Sequence, residues 1–166
     1  NSRREVLVSL RSHGARTIAD NPPYQETLSL DGLSIEVAYD TTQSTLEARI
    51  DSTDIALSAI GCERGPAGDR VLVHPLAHVS AARREILLLT PLVNWKYALY
   101  TLERMHRYAE ELGFVVPAEQ EEYVWQLFLA QPAPERWSMI RRYKLVSAQS
   151  GPISERAMSL CAEVSA

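Results

Sequence analysis

The stretch that decides the fold is Thr27-Leu28-Ser29-Leu30-Asp31-Gly32-Leu33-Ser34-Ile35-Glu36-Val37. Apolar and polar residues alternate on both sides of Asp31-Gly32. Alternation of this kind is the period of a half-buried strand. An Asp-Gly pair between two such runs favours a two-residue hairpin turn, because both turn residues need positive φ. The register follows directly: Leu30 opposes Leu33, Leu28 opposes Ile35, and Glu26 opposes Val37. Leu28, Leu30, Leu33, Ile35 and Val37 then share one face.

Working outward, Asn21-Pro22-Pro23 breaks the chain before this hairpin. Upstream of it, Ser2-Arg3-Arg4-Glu5 fits a capping box, and Val6, Leu7 and Leu10 line one side of a helix that Gly14 can end. Downstream, a polar turn over Thr41–Ser44 leads into Leu46-Glu47-Ala48-Arg49-Ile50, which alternates again and reads as a third strand. Ile55–Ile60 reads as a fourth, Gly65-Pro66-Ala67-Gly68 as a turn, and Val71–His74 as a fifth. Arg84–Leu89 is ambiguous by period alone. Thr90-Pro91 after it has the form of an N-cap followed by proline, which places a helix start there and a sixth strand before it.

The rest is helical by pattern. Pro91 opens a helix that runs to Leu112, with Gly113 as its left-handed cap. Pro117 opens another, through Tyr123, Val124, Leu127 and Phe128. Pro132 and Pro134 punctuate. Trp137, Ile140 and Tyr143 mark a third helix, and Pro152 opens a last one through Ala157, Leu160, Cys161 and Val164. The expected fold is therefore α+β: an N-terminal helix, an antiparallel five- or six-stranded meander, then three or four C-terminal helices. One domain is expected over residues 1–166, with the sheet over 24–90 and the helical part over 91–166.

Composition narrows the function classes. The chain has 166 residues, 46% of them hydrophobic, which is enough for a packed core. Unbroken apolar runs are at most four residues long, as at Ile86–Leu89, far short of the ~20 a membrane span needs. No signal-peptide core follows Asn1. The chain starts with Asn rather than Met, as it would after removal of a leader or tag. Net charge is −4, so a general attraction to nucleic acid or anionic lipid is not expected. Fifteen of the seventeen basic residues are Arg, the others being Lys96 and Lys144. That bias reads as a GC-rich bacterial or phage genome. Cys62 and Cys161 make no disulfide framework and read as reduced, buried thiols in a cytoplasmic setting.

Several constellations resemble chemistry. His74 and His78 frame Pro75-Leu76-Ala77, but Pro75 argues against a helix interior, and on a strand the two rings stand roughly 13 Å apart at ~3.3 Å per residue. One zinc ion cannot bridge that distance, so no metal and no cofactor is expected. Cys62 with His74 or His78 could make a Cys–His pair across neighbouring strands, the polar set of a pocket between sheet and long helix. A small buried residue at a strand end explains Cys62 as well. The chain contains no Gly-x-Ser-x-Gly and no phosphate-binding glycine loop.

Arg136, Arg141, Arg142 and Lys144 lie among aromatic residues, the composition that single-stranded nucleic acid favours. Trp137, Ile140 and Tyr143 fit a core-facing stripe, however, which leaves the arginines on the wet side. On the long helix, Leu92, Trp95, Ala98, Leu99, Leu102, Met105, Ala109 and Leu112 form the apolar face. Tyr97, Tyr100, Arg104 and Tyr108 fall together on another side, a composition enriched at protein interfaces.

The expectation drawn from these patterns is a non-enzymatic cytoplasmic protein-binding module, adaptor or chaperone-like, that docks a partner segment on the tyrosine–arginine face or a sheet edge. The loose element order is similar to that of small acidic secretion chaperones, without matched motif residues. On this expectation a protein partner is favoured, a homo-oligomer is allowed, and membrane and nucleic-acid partners are not anticipated. The alternatives are a ligand-binding protein or enzyme using Cys62, His74 and His78, and nucleic-acid binding through residues 136–144.

Overall fold

The computed structural model describes residues 3–22, 25–38, 45–65, 68–146 and 151–163. The chain divides into two compact units, residues 1–44 and 45–166.

In the first unit, α1 (Arg3–Ser12) is followed by β1 (Arg16–Asn21), β2 (Gln25–Leu30) and β3 (Leu33–Ala38) in an antiparallel sheet of order β1-β2-β3. The hairpin takes the register read from its sequence, with Leu30 opposite Leu33, Leu28 opposite Ile35 and Glu26 opposite Val37. Asp31 (φ 52°) and Gly32 (φ 81°) both occupy the left-handed region the turn requires. Leu7, Ala15 and Leu28 are buried together, with Leu10, Leu30 and Val37 packed around them. Leu33, at the hairpin tip, is exposed. The Ser2 cap and the Thr41–Ser44 turn lie outside the described residues.

The second unit corrects the meander. Residues Leu46–Ile50 form not a strand but a helix, α2 (Leu46–Asp51). Leu46 and Ile50, four apart, share a helical face as readily as a strand face. Thr45 settles the choice by accepting the Ala48 amide at 3.1 Å. Residues 55–60 are likewise no strand. Ile55 makes one bridge to Leu88, Ala56–Ser58 is a 3-10 turn, and β4 (Ile60–Gly65) begins only at Ile60. β4 pairs with β5 (Gly68–Val73) in a separate two-stranded hairpin, so the strands form two sheets. The middle of the expected turn between them, Pro66-Ala67, lies outside the described residues.

Pro75 begins a helix rather than preventing one. α3 (Pro75–Arg83) carries proline in its first turn, where the missing amide costs nothing, and His74 caps it with Nδ1 3.1 Å from the Leu76 amide. Residues 85–89 are extended, as the sequence suggested, but belong to no hairpin. They run through the interior between two other segments. Ala56 donates to the Leu87 carbonyl and Ile86 to the Val115 carbonyl, each at 2.8 Å. Ile86, Leu87, Leu88 and Leu89 are all buried.

The long helix is shorter than expected. A cis Thr90–Pro91 bond and a 3-10 turn at Trp95–Tyr97 precede α4 (Ala98–Leu112), which Gly113 ends with φ 64°. α5 (Ala118–Leu129), α6 (Ala133–Val146) and α7 (Pro152–Glu163) follow. Leu99, Leu102, Met105, Val124, Phe128, Met139, Ile140 and Cys161 enclose Ile55, Ile86 and Leu88 in the main core. Among the described residues, no helix is long and apolar enough to cross a membrane.

Candidate nucleic-acid interface

α6 turns inward two of the three residues its aromatic spacing places in the core, Ile140 and Tyr143, but not Trp137. Arg136, Met139, Ile140 and Tyr143 are buried, whereas Trp137 is 43% exposed. At 100° per residue the buried four span one arc, and Trp137, Arg141 and Lys144 cluster on the solvent arc. All three are exposed. Along the axis Arg141 lies about 6 Å and Lys144 about 10 Å beyond Trp137, at ~1.5 Å per residue. α6 holds four basic residues against the single acid Glu135, a local net charge of +3 (4 − 1) in a chain of net charge −4.

The other arginines of α6 are committed inward. The Arg142 guanidinium lies 5.7 Å from the Tyr97 ring centroid. Arg136 is 5% exposed and lies beside Cys161. Burial pushes the Cys161 thiol above its ordinary range, with Arg136 pulling the other way. Of the four basic residues singled out by sequence, Arg141 and Lys144 are exposed and form no ion pair among the described residues, and Trp137 joins them on that arc. The aromatic stripe placed Trp137 in the core, so its exposure beside Arg141 and Lys144, two of the basic residues singled out, was not foreseen. The signal that could have found it is the i, i+4, i+7 spacing of one indole and two cations.

The tyrosine–arginine face is occupied by the chain itself. Arg104 Nη1 lies 2.9 Å from both carboxylate oxygens of Asp54, and Arg104 Nη2 lies 3.2 Å from the Tyr108 hydroxyl. Thr101 Oγ1 donates to Asp54 at 2.6 Å. Burial works against the charge on Arg104, but Tyr108 and Asp54 together hold its pKa above the ordinary value. Burial also opposes ionisation of Tyr108, and the Arg104 hydrogen bond nonetheless holds its phenol below the usual range. Tyr100 and Tyr108 pack against the main core, and Tyr97 lies under Arg142.

Cys62 is exposed on β4, opposite Val71, and not the buried thiol expected. His74 caps α3, and His78 lies one turn further along that helix, exposed. The cavity between α2 and β4, of about 310 Å³, is lined by Leu46, Arg49, Ile50, Ser52, Thr53, Ile60 and Gly61 and includes none of these three residues. The Ser52 and Thr53 hydroxyls close the end of α2 by donating to the Arg49 and Ile50 carbonyls. Among the described residues, no group of three His, Cys, Asp or Glu side chains could hold a metal ion.

The fold is one found in enzymes that process tRNA. Over 98% of its length the chain superposes on a tRNA nucleotidyltransferase solved with a primer tRNA and an incoming ATP analogue, at TM-score 0.58 and 17% identity. A tRNA-processing enzyme complex gives TM-score 0.58 and 18% identity over 96% of the chain. The Thermotoga maritima CCA-adding enzyme bound to tRNA gives 0.52 and 16% over 98%. The chain spans less than half of each of these structures, 49%, 44% and 40% respectively. No family model matches the chain. No curated protein matches it either. These likenesses overturn the expected adaptor or chaperone-like module, because the solved structures that share the fold are nucleic-acid-processing enzymes. They also correct the placing of nucleic acid among the partners not anticipated.

Proposed function

We propose that this chain binds RNA of the tRNA class, as part of a protein with a tRNA-nucleotidyltransferase-like fold working in the cytoplasm. The observation that carries the reading is the superposition of nearly the whole chain on enzymes solved with tRNA. The solvent face of α6 supports it, since local cations can hold phosphates even when the net charge is negative. The reading concerns binding, and no residue is assigned to a transfer step.

Fluorescence anisotropy with labelled bulk tRNA tests it. Saturable binding is expected at low salt, weakening steeply as salt rises, because each neutralised phosphate releases counterions. Absence of binding at low salt, by a chain shown to be folded, would overturn the reading.

A further inference from the structure

Trp137 has no role in the core that α6 helps to build. Among the described Phe, Trp and Tyr residues it is the one that is exposed, and the other exposed large hydrophobics are aliphatic. An indole in water forfeits burial that Met139, Ile140 and Tyr143 of the same helix obtain. Its neighbours on the solvent arc, Arg141 and Lys144, form no ion pair among the described residues. The Lys144 ammonium rests 3.4 Å from the Met158 sulfur of α7. Glu135, the acid of this helix, lies about 160° around the axis from Trp137, at 100° per residue. A flat apolar ring flanked by two unpaired cations fits a ligand that is flat and apolar in one part and anionic in the next.

We propose that Trp137 stacks an unpaired nucleotide of the bound RNA and that Arg141 and Lys144 take the adjacent phosphates. The assignment rests on the RNA-binding reading above and names the single-stranded segment as what this face holds. Every base has a π-face, so stacking here is tolerant of sequence. A paired base is stacked within its duplex and cannot offer that face, so unpaired nucleotides are preferred.

The test is a titration of the chain with a mixed-sequence single-stranded RNA and with a duplex of the same sequence, following indole fluorescence and anisotropy. The single strand is expected to quench the fluorescence and to bind more tightly than the duplex. Trp137→Ala should weaken binding by about tenfold or more and remove the quench, while Trp137→Phe, which keeps a ring, should retain most of the affinity. Arg141→Ala with Lys144→Ala should flatten the log-log salt dependence by about 1.4, at ~0.7 per phosphate on a single strand. All three side chains are exposed, so thermal melts of the variants should match the parent. If the parent binds RNA and Trp137→Ala binds equally well, or if the duplex is preferred, the stacking assignment is wrong and the RNA-binding reading stands. If the parent binds neither these RNAs nor tRNA, both fail.

Discussion

Glu26 is a carboxylate set into an apolar sheet face. Its neighbours on that side of β2 are Leu28 and Leu30, yet it is only 4% exposed. Thr17 donates to it at 2.6 Å, Arg3 pairs with it at 2.8 Å, and Arg11 pairs with its other oxygen. A buried charge is tolerated when it is paired and hydrogen-bonded in this way. The Thr17 hydrogen bond, with Arg11 and Arg3 behind it, holds the carboxyl below its ordinary range against the opposing effect of burial. A carboxyl whose folded pKa is depressed stabilises the fold above its unfolded pKa and loses that contribution as pH falls through the folded value. Glu26→Gln should therefore speed amide exchange along β2 at neutral pH, and the difference from the parent should vanish in acid, where Glu26 is itself protonated. An equal difference at both extremes of pH would count against the ion pairs as its source. Asp54 has a comparable role in the second unit. Besides its bonds to Thr101 and Arg104, it accepts the Ile55 amide at 3.0 Å, and its carbonyl accepts the Leu89 amide at 2.8 Å. Removing it strands a half-buried guanidinium. Asp54→Ala should cost about 2 kcal/mol, and a double-mutant cycle with Arg104→Ala should show a coupling above ~0.5 kcal/mol.

At the scale of elements, segments with strong local terminators were legible. Pro117, Pro152 and Gly113 bound the helices as their chemistry demands. Gly113 adopts φ 64°, and a Cβ placed there would meet only the Arg84 guanidinium at 3.6 Å, an ordinary contact. Gly113→Ala should consequently destabilise the second unit through backbone strain alone, by about 1 kcal/mol, readable as a lower midpoint in urea with an unchanged slope. Short segments were misread where two periods coincide. In Leu46–Ile50, residues two and four apart satisfy a strand, and residues four apart satisfy a helix. In Pro75–Arg83, the proline reads as a helix breaker, although at the first helical position it is an initiator.

At the scale of the molecule, the five strands among the described residues separate into a sheet of three and a hairpin of two, each with its own helices. A two-stranded hairpin is marginal by itself. β4 and β5 are held by Leu72, which packs with Leu46, Leu76, Ile50, Ala59 and Leu89. The adaptor reading is overturned at this scale, by the likeness of nearly the whole chain to tRNA-processing enzymes; within its tyrosine–arginine stripe, Arg104 pairs with Asp54, fifty residues earlier in sequence.

The sequence by itself determined the hairpin register, the α+β order and the helix stops, because each depends on groups a few residues apart: positive φ at Asp31-Gly32, a missing amide at a proline, a left-handed cap at Gly113. Only the tertiary structure decided that residues 85–89 thread the core, that Arg136 lies inside while Trp137 faces water, and that Asp54 claims Arg104. Those outcomes depend on which distant surface covers a given face, and helical or strand periodicity carries no information about a partner far along the chain.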